Sequence, residues 1–173
     1  MRPMHHAISR ALSRLTLILG LTLGLTSGIT AAPAMADQGY PYSGMKVIET
    51  GKSYGALVGA FNAAVEAQKS VFVVTRASAT VGVKKRFGED IPGNMVAGVY
   101  GPTFAKRMLQ ASIPAGIEAP IRFYLSENTE TGGATLTYRR PSAVFAPYGG
   151  ADLAAMAKEL DAIFENIART ATQ

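Results

Sequence analysis

The sequence predicts an α+β domain: a mostly antiparallel sheet of about five strands, with two long helices packed on one face plus short helical pieces. Three observations carry this. Apolar residues recur at helical spacing in two segments, from Tyr54 to Val65 and from Leu153 to Ile167. Short β-branched or alternating runs lie between them. The last two of these runs flank the turn-forming stretch Asn128–Gly133 and read as a hairpin.

The elements follow in order. Asp37–Gly44 is polar, contains Gly and Pro, and is expected to be a flexible arm. Met45–Glu49 is a strand carrying Val47 and Ile48. Ser53 suits a helix N-cap, after which Tyr54, Leu57, Val58, Phe61 and Val65 mark the buried stripe, and Ala60 and Ala64 allow close approach. Val71–Val74 is an unbroken apolar run and predicts a buried strand. Ala77–Phe87 reads two ways, since Ser78 can cap a helix that Gly82 weakens. Ile91–Asn94 is a turn before the strand Met95–Tyr100; Pro102 fits a first helical turn, with Phe104, Met108 and Ala111 as its stripe. Ile113–Pro120 is a loop. In the next run Ile121, Phe123 and Leu125 face one way and Arg122, Tyr124 and Ser126 the other. Ala134–Arg139 returns as its partner strand. Leu153, Met156, Leu160, Ile163, Phe164 and Ile167 then make a long amphipathic helix, with Asp152 and Arg169 placed to suit its dipole.

The front of the chain has a different character. Arg2, Arg10 and Arg14 precede the apolar run Leu15–Leu25, and Ala34-Met35-Ala36 supplies a small-x-small cleavage pattern. Residues 1–36 are therefore expected to be a cleaved signal peptide, with Asp37 as the first mature residue and export to the periplasm as the address. The apolar run falls short of the roughly 20 residues that span a bilayer, so no transmembrane segment is expected after cleavage. Residues 45–173 form one domain. The leader holds three of the 17 Lys and Arg side chains and none of the 12 acidic ones, so the formal +5 becomes +2 in the mature chain. That is no nucleic-acid footprint. The basic run Lys84-Lys85-Arg86 has no aromatic residues interleaved and reads as a solvated face, or else as attraction to an anionic membrane surface or acidic partner.

The segments IPGNMVAGVYGPTFAKRMLQASIPAGIEAPIRFYLSE, TYRRPSAVFAPY and LAAMAKELDAIFENIA resemble the domain of unknown function 302 family, over about Val47 to Ala168. The AGIEAPIRFY and YRRPS pieces are the most specific. The resemblance implies a compact α+β fold with two helices on an antiparallel sheet, and a homodimer, as some members form. It implies no activity. Many members carry Gly-Asn-Pro after a central strand; Gly101-Pro102 stands there in this chain, so a role for that asparagine does not carry over.

The sequence holds no Cys, and both histidines, His5 and His6, lie in the leader. The mature chain thus lacks the base of Ser-His-Asp and Cys-His catalysis, and the usual zinc ligands. No metal and no cofactor is expected. Lys52-Ser53 and Lys69-Ser70 are adjacent pairs whose side chains point apart, which suits caps and solvated lysines rather than catalytic dyads. Met95, Met108 and Met156 sit on apolar stripes and read as core. Glu118, before the AP pair, is the one carboxylate placed as a candidate catalytic group; otherwise it is the partner of an ion pair with Arg122 or Arg140.

The hairpin register sharpens the reading. Matching apolar to apolar sets Phe123 opposite Tyr138 and Leu125 opposite Leu136, which puts Tyr124 opposite Thr137 and Arg122 opposite Arg139. Two like charges directly across are unfavourable. Either they splay into water, or an internal carboxylate, a small anionic ligand or a partner subunit's acid lies between them. A register shifted by one pairs Arg122 with Tyr138 and removes the conflict. The expected function is a non-enzymatic ligand-binding or protein-interaction module using Arg122, Tyr124 and Arg139 on an open sheet face. Its rivals are a carboxylate/arginine enzyme acting on a small anionic substrate and a structural envelope or stress protein.

Overall fold

The computed structural model describes residues 42–173. The expected leader and the first residues of the arm lie outside that range. Five strands form one sheet: β1 (Met45–Thr50), β2 (Phe72–Ala77), β3 (Asn94–Tyr100), β4 (Ile121–Glu127) and β5 (Ala134–Arg139). Their order is β1-β5-β4-β3-β2, with every neighbouring pair antiparallel. The β4–β5 hairpin has the register expected from apolar matching, Phe123 opposite Tyr138 and Leu125 opposite Leu136. Its turn is closed by the Asn128 side chain, whose Oδ1 accepts from the amides of Glu130 and Thr131, with Gly132 at φ +70°.

The long helices α1 (Tyr54–Glu66) and α5 (Ala151–Thr172) cover one face. Ser53 caps α1, its Oγ accepting from the Ala56 amide at 3.3 Å. Leu57 and Phe61 of α1, and Leu153, Met156, Leu160 and Phe164 of α5, meet Phe123, Leu125, Leu136 and Tyr138 of the sheet. At the centre Phe123 lies 5.1 Å from Phe61, 4.8 Å from Phe164 and 5.0 Å from Tyr138, ring centre to ring centre. Met95, Met108 and Met156 are all buried, as their stripes predicted.

The connections carry the short helices. The two-way segment resolves as α2 (Ala79–Phe87): Ser78 Oγ accepts from the Val81 amide, and Gly88 at φ +75° ends it. The helix forms despite Gly82, where an added Cβ would meet open space. After α3 (Pro102–Ala111), Ile113–Glu118 is a 3-10 turn rather than a plain loop. The link after β5 holds α4 (Pro141–Phe145) and a further 3-10 turn, Ala146–Tyr148.

One expectation is overturned. The apolar run predicted as a buried strand is the edge strand β2, and only Val71, just before it, is buried. An edge strand has a single neighbour, and a register shift between Val73 and Thr75 leaves Val74 43% exposed. Apolar content says that a strand forms, and does not say how many strands flank it. Among the described residues no helix is long and apolar enough to cross a membrane.

Candidate functional site

Strand pleating assigns side chains to the face away from α1 and α5. Directly opposed residues share a face, so Val96, Tyr124, Thr137 and Val47 form one row across β3, β4, β5 and β1. The next rows hold Gly98 with Arg122, and Arg139 with Met45. Gly98 is required where it stands: a Cβ there would lie 2.7 Å from the Pro120 ring and against the Thr75 hydroxyl.

The β4–β5 ladder ends at Phe123–Tyr138. Beyond it Arg122 stays with β3 and Arg139 with β1, so the two strands part where the two guanidiniums would otherwise face each other. The two guanidiniums are thus not set opposite each other in the ladder. A cavity of about 480 Å³ opens here, lined by Glu118, Arg122, Tyr124 and Arg139 together with Tyr42, Met45, Val96 and Thr137. All four residues singled out from the sequence therefore meet in one place.

They are not equivalent. Arg139 is pinned: Nε donates to the Ser43 carbonyl and an Nη to the Ala143 carbonyl, both at 3.0 Å, and its guanidinium lies 5.4 Å from the centre of the Tyr42 ring. Those acceptors are neutral, so its positive charge is not cancelled. Tyr42–Gly44, the described end of the arm, is tied down by the same contacts and by the Arg140 amide, which donates to the Gly44 carbonyl. Arg122 is exposed and makes no hydrogen bond or ion pair among the described residues. Tyr124 is 38% exposed.

Glu118 departs from its ion-pair expectation. It joins neither Arg122 nor Arg140; its Oε1 instead accepts from the Tyr148 hydroxyl at 2.8 Å. That hydrogen bond, then partial burial and the carboxylate charge, push the Tyr148 phenol above its usual range. Arg140 turns its Nε inward, buried and without a hydrogen-bond partner. Glu118 is the one carboxylate lining the cavity. No second carboxylate lines this cavity beside it. No group of three or more metal-ligating side chains occurs among the described residues either.

Sequence reasoning missed Tyr42, Met45, Val96 and Tyr148. Tyr42 and Tyr148 lie in connections without periodicity, so nothing in their neighbours' spacing points at the site. Met45 and Val96 become legible only once the strand order is known.

The family model described as Domain of unknown function DUF302 matches residues 46–171. The chain belongs to this family. Among solved structures, the DUF302 chain is similar to the uncharacterized conserved protein DUF302 from Bacillus stearothermophilus, with a TM-score of 0.63 and 14% identity, over 74% of this chain and 98% of that one. At that identity the likeness bears on the fold, and the α+β architecture agrees. No curated protein matches this DUF302 chain.

Proposed function

We propose that this DUF302 protein is an exported, non-enzymatic binding module that holds a small anion on its uncovered sheet face, over Arg122. The supporting observation is the inequality of the two arginines. Arg139 is consumed by backbone carbonyls, whereas Arg122 projects into the same cavity with no partner among the described residues. A guanidinium offers a planar fork for carboxylate or phosphate oxygens, and the uncancelled charge of Arg139 adds to the attraction.

Thermal denaturation with inorganic phosphate and a set of carboxylates tests this. A ligand at about 100 times its Kd stabilises by about 2.7 kcal/mol, a shift of several degrees in Tm for a domain of this size. Arg122→Ala is expected to abolish the shift without lowering the unliganded Tm, because the side chain holds nothing in place. Absence of any shift across the set would sink the reading.

A second reading, a homodimer through the same face, draws support from Tyr42, Phe72 and Tyr124, aromatic side chains left exposed around it. Sedimentation equilibrium decides: a monomer at all concentrations removes it. For the exported address, intact-mass measurement of protein recovered from the periplasm should give a chain beginning at Asp37.

A further inference from the structure

The cavity carries more than an anion requires. Its charged lining has two signs: Arg122 and Arg139 are cationic, and Glu118 is anionic yet bonded to neither. Glu118 uses one oxygen for the Tyr148 hydroxyl; Oε2 takes no hydrogen bond among the described residues. The rest of the wall is aromatic or apolar, from Tyr42, Tyr124, Met45 and Val96.

Inorganic phosphate would satisfy Arg122 and leave those apolar walls facing water. A simple organic carboxylate would fill them but place its charge in the field of Glu118. A ligand bearing both a carboxylate and an ammonium turns that repulsion into a second charge-assisted hydrogen bond. The volume is in the range of sites that take whole small molecules, about 300–1,000 Å³.

Resting on the anion-site reading above, we infer that the ligand is a small amphipathic zwitterion of the amino-acid class. Its carboxylate forks on Arg122, its ammonium donates to Glu118 Oε2, and its apolar or aromatic body lies against Tyr42, Tyr124, Met45 and Val96. Tyr148 is a positioning residue, orienting the carboxylate through Oε1.

Calorimetric titration of the mature protein with four probes tests this: L-phenylalanine, 3-phenylpropanoate, phenethylamine and inorganic phosphate. Phenylalanine should bind about tenfold more tightly than 3-phenylpropanoate, the difference one charge-assisted hydrogen bond makes, and phenethylamine should not bind. Glu118→Gln keeps an acceptor for Tyr148 and should bring phenylalanine down to the affinity of 3-phenylpropanoate while leaving the latter unchanged or improved. If 3-phenylpropanoate or phosphate binds as tightly as phenylalanine, the zwitterion inference fails and the anion site stands. If no probe binds, both fail. The comparison among ligands needs no variant, so a poorly folding Glu118→Gln does not spare the inference.

Discussion

Single atoms decide much at this site. Gly98 lets Pro120 lie on the sheet beside Arg122, and Gly98→Ala pushes a methyl into the Pro120 ring and the Thr75 hydroxyl. The overpacking should cost about 1–3 kcal/mol, read as a lower urea midpoint, and should weaken anion binding as Arg122 shifts with its strand. Tyr138 makes a second case. Burial first, then the charges of Glu165 and Asp161, push its phenol from the usual 10 up to about 12, with Arg140 acting in the opposite sense. A folded pKa above the unfolded value contributes stability that is whole below pH 10 and is lost as pH rises toward 12. Tyr138→Phe should flatten that alkaline decline in a pH series of denaturant midpoints; an unchanged slope would remove the assignment.

Among elements, the β4–β5 hairpin was the most readable. Phe123 and Leu125 alternate cleanly against Tyr138 and Leu136, so the register followed from the residues alone, although the ladder stops before Arg122 would face Arg139. β2 was readable as a strand and not as an edge, because Val71–Val74 carries no mark of its missing neighbour. The pairing of α3 with α5 was hidden for a similar reason. Arg107 forks both oxygens of Glu159 at 2.6 and 2.7 Å across the two helices, a match between residues 52 apart that no local pattern reveals. The hydrogen bond to Arg107 lowers the Glu159 carboxyl below its usual value. A depressed folded pKa gives stability that is present above the unfolded value and lost as pH falls through the folded one. Glu159→Gln should therefore soften the acid limb of the stability profile. The pair is solvent-exposed, so the effect should be small and should fade in high salt.

At the scale of the molecule, the helices and five strands enclose a core on one side of the sheet, and Arg122 and Tyr124 stand exposed on the other. The absence of Cys, and of His outside the expected leader, is visible at once in the sequence and points the described domain's chemistry to arginine, carboxylate and phenol. Which of these groups converge was only half visible. Glu118, Arg122, Tyr124 and Arg139 could be named, while the arm residue Tyr42 and the connection residue Tyr148 needed the folded chain.

Strand β1 has one neighbour, β5, whose partner residues sit some 90 positions later, as in Met45 with Arg139. A polypeptide that emerges front end first must hold Met45–Thr50 idle until nearly all of it has been delivered. Closing so long a loop is entropically costly and slows assembly. The β1–β5 side of the sheet is thus completed by the meeting of an early and a late segment. Pulsed hydrogen exchange during refolding should find the amides of Lys46 and Ile48, which face β5, protected after those of β3 and β4; protection in the reverse order would show that another route brings the two ends together.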